Sequence, residues 1–421
     1  MPMLILMKML LVLALMVILL KRKMPFGNAM LVATLFLFVL TQPTISNLAN
    51  ASLKTISRPG TWFMLFTLYF VMCLEYLLRT SGILQSFTAA ARRLFGSDRV
   101  LLGFMPAFLG FLPSVGGAIF SAPLVKEAAK NYRLSPERLT AINYWFRHIW
   151  EYSNPIVPAL LLASEITGMP VGTLAGKMFA FTVASAVIGI FVLLLGKPYR
   201  QPAAADADNL SQTSGLTADT PPKTTSINVK TAVRSILLAA GPIAANLILV
   251  VFFKMNTALS MALVLGGMAV ILKMNLSRVK DILFSAYDFH MLWSALSIIF
   301  FQQMLENTGT IAQIVTVFES SGIPPAAIIW ITAFVVGLLV GSPQGFVAVA
   351  LPLVAVLSPG NIDVIAMTYI AGVFGTMASP AHLCQIVSYQ YFQADFLKSL
   401  LPIIFMEFLM VGFAIVYIYL I

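Results

Sequence analysis

The sequence predicts an all-α, multi-pass membrane protein composed of two inverted repeats. Of its 421 residues, 59% are hydrophobic and only 10% are charged, whereas about 25% are charged in a typical soluble domain. Gly, Ser and Pro interrupt an apolar stretch in each half of the chain, and Ser114 of the first interruption matches Ser342 of the second. Further matches keep an offset between 225 and 229 residues. A constant offset of about half the chain length indicates a duplicated unit.

Each half contains five apolar runs of roughly the length that a membrane helix requires, about 20 residues. In the first half these runs are 3–20, 28–48, 61–78, 140–163 and 174–196. In the second half they are 235–253, 257–273, 289–305, 364–389 and 400–421. Lys21-Arg22-Lys23 follows the first run without a cleavage motif, which predicts a span rather than a signal peptide. Because five crossings is an odd number, the repeats are predicted to be inverted.

An interrupted apolar stretch lies between the third and fourth runs of each half. In the first, the arms 100–112 and 118–125 flank the sequence PSVGG and are each too short to cross a bilayer. The segment 100–125 is therefore predicted to be a re-entrant hairpin, the alternative being a single kinked helix. The second hairpin is predicted at 326–357, around the sequence VGSPQG.

Other segments complete each repeat. The fourth runs, 140–163 and 364–389, are predicted to be broken helices because Asn154-Pro155 and Ser379-Pro380 interrupt them in matching positions. Two runs that follow the third spans are too short to cross and are predicted to lie in the membrane interface: 83–95 and 311–318.

The distribution of Lys and Arg predicts the topology. Residues 198–230 are rich in Ala, Asp, Ser, Thr and Pro, which predicts a disordered linker between a first repeat over 1–197 and a second over 231–421. With external termini, 20 Lys and Arg fall on the linker side of the membrane and 4 on the other. Positive residues concentrate in cytoplasmic loops, so the linker is predicted to be cytoplasmic. A membrane-crossing first hairpin would place the basic segment 126–138 outside, against this rule.

The four interruptions are predicted to form one binding site. Breaks leave backbone groups unpaired, which hydrocarbon does not tolerate. Helix N-termini suit an anion, whereas carbonyl and hydroxyl oxygens suit a sodium ion. The alternative is that these residues only permit turns and close helix packing. The candidate ligands are Ser114, Gly116, Gly117, Asn154, Ser342, Gln344, Gly345 and Ser379.

Ionisable residues inside spans are functional candidates because their burial in a membrane is costly. Arg147, His148 and Glu151 precede the first broken helix's interruption and form a candidate proton or anion site. The alternative is an internal ion pair between Arg147 and Glu151, which lie four residues apart. His382 is predicted to meet substrate or carry a proton, or else to be a packing residue. The remaining candidates are predicted to be mostly interfacial: Glu75, Glu165, His290, Glu306, Asp395 and Glu407.

Composition excludes several other classes of protein. The formal net charge of +10 arises in loops beside apolar runs, so the predicted partner of the basic residues is the membrane surface rather than nucleic acid. Cys73 and Cys384 are far apart, with no spacing typical of a metal site or a disulfide. The chain contains no His-Glu-x-x-His, no Gly-x-Ser-x-Gly and no nucleotide-binding loop. An intramembrane enzyme or a receptor is therefore the least supported class, and no cofactor is predicted.

Four motifs give the chain a resemblance to a known superfamily: Pro113-Ser-Val-Gly-Gly117, Ser153-Asn-Pro155, Gly341-Ser-Pro-Gln-Gly345 and Ala378-Ser-Pro380. With this layout the chain resembles the ion transporter superfamily, which includes divalent anion/sodium symporters, gluconate and C4-dicarboxylate carriers and sodium/proton antiporters. Within it the chain is similar to an uncharacterised prokaryotic family of integral membrane proteins. The resemblance implies a scaffold and a mobile transport domain, usually dimeric, that move as an elevator. The Ser-Asn-Thr motif of the carboxylate carriers is absent from both tips, so the resemblance does not extend to dicarboxylate specificity.

The expected function is secondary active transport of a small organic anion across a prokaryotic inner membrane, driven by sodium or protons. Sodium ligands are expected in two matched pairs, Ser114 with Asn154 and Ser342 with Ser379. A proton would require a titrating group such as His382. The alternative function is a cation/proton antiporter, for which Glu151 is the nearest acidic candidate.

Overall fold

The chain folds into helices, as a computed structural model shows for residues 2–22, 24–111, 117–195, 229–310, 313 and 324–420. No strand occurs in these ranges, so the all-α prediction is confirmed there. Five helical segments of the described chain are long and apolar enough to cross a membrane, and they become six if a bent pair, Leu276–Ser285 with Phe289–Asn307, is one span. The five are Pro59–Thr80, Val171–Leu194, Lys230–Val251, Ile362–Phe392 and Phe396–Ile418.

The first half contributes ten helices to the described structure. They are α1 (Pro2–Lys21), α2 (Phe26–Leu40), α3 (Ile45–Ser57), α4 (Pro59–Thr80), α5 (Ile83–Phe95), α6 (Asp98–Gly110), α7 (Gly117–Ala128), α8 (Pro136–His148), α9 (Pro158–Thr167) and α10 (Val171–Gly189). A 3₁₀ turn, Ile149–Glu151, follows α8, and a π-helical turn, Ile190–Leu194, extends α10.

The second half contributes nine more within the same described ranges. They are α11 (Val229–Val251), α12 (Thr257–Ile271), α13 (Leu276–Ser285), α14 (Phe289–Asn307), α15 (Pro325–Val340), α16 (Pro343–Leu357), α17 (Ile362–Ala378), α18 (Leu383–Phe392) and α19 (Phe396–Leu420). The order of helices and breaks parallels the first half, with α11–α14 matching α1–α4 and α15–α19 matching α6–α10. The counterpart of α5 would fall in 311–323, outside the described residues apart from Gln313.

The predicted breaks coincide with helix ends. Gly341 and Ser342 separate α15 from α16. Between α6 and α7, residues 112–116 lie outside the described part of the chain, so Ser114 and Gly116 stay predictions. The fourth run of each half divides into α8 and α9 and into α17 and α18, as the broken-helix prediction requires.

The predicted span 28–48 is wrong. Helix α2 ends at Leu40, because Pro43 removes a backbone donor and disfavours helix at the residue before it. The hydroxyl of Thr44 accepts a hydrogen bond from the Asn47 amide at 3.3 Å and so begins the separate helix α3.

Helix α13, which matches α3 in position, was also not predicted. The Asn275 side chain caps it by accepting from the Arg278 amide at 2.8 Å, and α13 meets α14 at a bend of 55°. Each half thus carries a short polar helix before its third span. Residues 198–228 of the predicted linker lie outside the described part of the chain. Its last two residues, 229 and 230, belong to α11.

Helices of the first half pack on helices of the second at several places in the described structure. Helix α2 packs on α14, and α4 packs on α12. Helix α7 packs on α18, and α9 packs on α16. If each helix is replaced by its counterpart in the other half, the pair α2–α14 becomes α12–α4. In the same way, the pair α7–α18 becomes α16–α9. The contacts between the two halves therefore follow the same pattern in both directions.

Glycine permits close contact between the hairpin arms and the broken helices. A methyl group on Gly110 of α6 would overlap the Arg147 carbonyl of α8. In the second half, a methyl group on Gly337 of α15 would overlap the Gly372 carbonyl of α17 and lie 2.9 Å from the Thr376 amide nitrogen. Small residues at these crossings bring the backbones together, as is common between membrane helices.

Candidate functional site

The candidate site lies where the two broken helices meet. Helix α8 gives way to the 3₁₀ turn after His148, and regular structure resumes only at Pro158, which begins α9. Pro155 within the break has no amide hydrogen to continue a helix, and Pro158 at the first helical position needs none. Helix α17 ends at Ala378 because Pro380 follows, and α18 begins at Leu383. Helix α18 packs on α8, so the two breaks lie close to each other.

Asn154 and Ser379 tie each break to its hairpin in the same way. Asn154 Nδ2 donates to the Phe111 carbonyl at 2.7 Å, and its Oδ1 accepts from the Ile156 amide at 3.2 Å. Ser379 Oγ donates to the Leu338 carbonyl at 2.7 Å and accepts from the Ala381 amide at 3.1 Å. Both side chains are fully buried. These bonds show a structural role at positions where the sequence predicts ligands.

The second hairpin places its predicted residues at the start of α16. Ser342 Oγ donates to Gln344 Oε1 at 2.6 Å, and both side chains are partly exposed. Gly341 has a φ of 65°, a left-handed conformation that favours glycine. Gly345 packs against Val340. In the first hairpin, Gly117 begins α7, in the position that Gly345 occupies near the start of α16.

The two histidines of the site contact each other. His148 Nε2 and His382 Nε2 are 3.1 Å apart, although 234 residues separate them in the chain. His148 Nδ1 lies 2.6 Å from the Tyr144 carbonyl, and because a carbonyl only accepts, Nδ1 is the donor. The Tyr144 hydroxyl donates to the Met377 carbonyl at 3.1 Å and so links α8 to the end of α17. Both imidazoles are buried.

Arg147 is the buried cation of the site. The residue is 6% exposed, and its Nε and Nη1 atoms have no hydrogen-bond partner among the described residues. The alternative account, an internal ion pair with Glu151, is not observed, because no salt bridge joins the two side chains and Glu151 Oε2 is buried without a partner among the described residues. The break of α8 after His148 explains this, since helical i,i+4 geometry does not extend to Glu151. Arg147 instead lies beside Cys384 and His382.

Glu407 was predicted to be interfacial, and this is wrong. It lies within α19 and is 1% exposed, and both of its carboxyl oxygens are buried without a partner in the described part of the chain. The other acids differ: Glu165 pairs with Arg58 at 2.8 Å, while Glu306 and Asp395 are exposed near helix ends. The apolar sequence around Glu407 gives no indication of which helix face is buried.

Sequence reasoning missed three further polar residues. Cys384 is the second residue of α18, and its thiol lies within 4.8 Å of a ring nitrogen of His148 and of His382. Gln385 is 1% exposed, with neither amide atom bonded to a described residue. Asn143 donates to Ser388 Oγ at 2.9 Å across the contact between α8 and α18. Only the spacing of Gln385 and Ser388, one helical turn apart, indicated a polar face.

The helices and this buried polar cluster define the chain as an all-α, multi-pass membrane protein. More particularly, it belongs to the DUF401 family, described as a protein of unknown function, whose model matches residues 4–206 and 215–421. The unmatched residues 207–214 fall inside the predicted linker. A comparison with curated proteins found no match.

Proposed function

We propose that the chain is a secondary active transporter of a small organic anion. The observation that carries this proposal is Arg147, a buried guanidinium with unpaired donors at the junction of two broken membrane helices. A buried cation without a carboxylate partner is costly, and a carboxylate substrate supplies both the charge and the acceptors. The half-helix N-termini at α9 and α18 add positive dipole ends, which also favour a bound anion.

An elevator mechanism, in a protein composed of inverted repeats, accounts for the way in which helices of one half pack on helices of the other. We assign α1–α4 and α11–α14 to the scaffold, and the hairpins, the broken helices, α10 and α19 to the transport domain. The exchange symmetry of the helix contacts supports the repeats. By analogy with the superfamily that the chain resembles, the protein works in a prokaryotic inner membrane as a homodimer, with lipid as its other partner.

The proposed topology has external termini and a cytoplasmic linker. In a Cys73→Ser/Cys384→Ser background, a membrane-impermeant maleimide applied to intact cells is expected to label Ser46→Cys of the exposed helix α3 and to spare Ser214→Cys of the linker. Disruption of the cells should make the second cysteine reactive. Labelling of Ser214→Cys in intact cells would refute the orientation.

Coupling is proposed to use sodium, bound by the hydroxyl and carbonyl oxygens around Ser114 with Asn154 and Ser342 with Ser379. A proton remains the rival coupling ion, because the His148 and His382 rings are in contact. Labelled succinate, citrate and gluconate should be presented to proteoliposomes under an imposed sodium gradient or an imposed pH gradient. We expect sodium-dependent uptake of at least one anion. Sodium-independent uptake that follows the pH gradient and is lost in His382→Gln would assign coupling to the proton.

A cation/proton antiporter is the second candidate, because the Glu151 and Glu407 carboxyl groups have buried, unpaired oxygens. Carboxyl groups in such surroundings take up and release protons in many membrane transporters. In the same proteoliposomes, flux of labelled sodium driven by a pH gradient without any organic anion, and lost in Glu151→Gln, would favour this function over anion transport.

A further inference from the structure

Three ligand atoms of metal-binding type converge at the crossing of α8 and α18. One ring nitrogen of His148, one of His382 and the Sγ of Cys384 all lie within 4.8 Å of one another. The two histidines are buried and the cysteine is partly buried. The chain has only three histidines and two cysteines, so this one cluster contains more than half of its imidazole and thiol groups.

The nitrogen positions fit one tetrahedral metal ion. With Zn–N bonds of 2.0–2.1 Å, two ligating nitrogens of a tetrahedral site lie about 3.3 Å apart. His148 Nε2 and His382 Nε2 are 3.1 Å apart, so a shift of a few tenths of an ångström suffices. A sulfur ligand bonds at about 2.3 Å, and the Cys384 thiol lies within 4.8 Å of a nitrogen of each ring.

The surroundings of His148 favour metal binding. His148 Nδ1 donates to the Tyr144 carbonyl at 2.6 Å, and the lone pair of Nε2 is therefore free to bind a metal ion. A hydrogen bond of this kind from the second ring nitrogen to a carbonyl or carboxylate accompanies nearly every metal-ligating histidine. Arg147 lies beside the Cys384 thiol and hydrogen-bonds with it.

We propose that His148, His382 and Cys384 bind a borderline-soft divalent metal ion of the Zn²⁺ type. Two imidazoles and one thiolate are a donor set suited to zinc, and three protein ligands leave a fourth position for water or an anion. This site goes beyond the transport function and does not depend on it. The competing explanation is a direct hydrogen bond between the two imidazoles in a metal-free site.

Metal binding can be measured on the purified full chain in detergent, carrying no polyhistidine tag. After removal of metals with a chelator and dialysis against Zn²⁺, the wild type is expected to retain one zinc per chain. Co²⁺ in place of Zn²⁺ should give the near-ultraviolet absorption of a cobalt–thiolate bond. The chain supplies matched controls, because Cys73 is buried in α4 and His290 is exposed at the start of α14.

Cys384→Ser and His382→Gln are expected to weaken zinc binding by at least about 100-fold, since loss of an outer-shell partner alone typically costs 10- to 100-fold. Cys384→Ser should also abolish the cobalt–thiolate absorption, whereas Cys73→Ser and His290→Gln should match the wild type. Cys384→Ser changes one atom, and an unchanged gel-filtration profile and helical circular dichroism confirm its fold. A wild type that retains no zinc, or a Cys384→Ser variant with wild-type affinity, would leave the imidazole hydrogen bond as the explanation.

Discussion

Gly337→Ala is expected to destabilise the protein by roughly 1–3 kcal/mol, the usual cost of overpacking a well-packed interior. The added methyl group would overlap the Gly372 carbonyl and press on the Thr376 amide. Both neighbours are backbone atoms of α17, so no rotamer change can relieve the contact. The whole of α15 must move away from α17, which weakens the packing of the hairpin on the broken helix.

The measurement is the apparent unfolding temperature of the purified protein in detergent, which should fall by several degrees. Gly110→Ala should have a similar effect, because its methyl group would overlap the Arg147 carbonyl. The matched control is Gly267→Ala in α12, where no atom lies within 4 Å of the added methyl group. A helical glycine in open surroundings gains up to about 1 kcal/mol from alanine. Equal stability of Gly337→Ala and Gly267→Ala would contradict the close packing of α15 on α17.

Arg147→Gln is expected to reduce the affinity for the transported anion about 10- to 100-fold. A hydrogen bond to a charged group contributes roughly 1.5–3 kcal/mol, and each 1.4 kcal/mol corresponds to about a tenfold change in affinity. Arg147→Lys keeps the positive charge but loses the planar pair of donors, so an intermediate loss is expected. The measurement is the concentration dependence of uptake for whichever of succinate, citrate and gluconate the wild type transports.

Arg278→Lys is the matched control for the arginine substitution. Arg278 forms an exposed ion pair with Asp281 at 2.9 Å on α13, outside the candidate site, and surface pairs of this kind contribute at most about 1 kcal/mol. Its uptake should equal that of the wild type. Wild-type half-saturation in Arg147→Gln, in a protein that still elutes as a single folded species, would remove Arg147 from the anion site.

The local features of the chain could be predicted from sequence because each depends on nearby residues. Pro155 and Pro380 interrupt helices wherever they fall, and Gly341 supplies the left-handed turn between α15 and α16. The predicted helix boundaries were wrong where a short polar turn interrupts an apolar run. At Pro43, for example, one predicted span is two helices. Helix α13 was missed for a similar reason, since its polar residues resemble those of a loop.

Sequence alone determined the membrane class, the helical fold and the positions of the breaks that fall within the described residues, since composition and backbone preference are properties of a residue and its immediate neighbours. The tertiary structure decided which distant side chains meet. It placed His148 against His382 and Cys384, left Glu151 Oε2 without a hydrogen-bond partner among the described residues, and buried Glu407. The physical reason is that lipid and protein interior are both apolar, so the hydrophobic pattern of a membrane helix does not distinguish its buried face from its lipid-facing one.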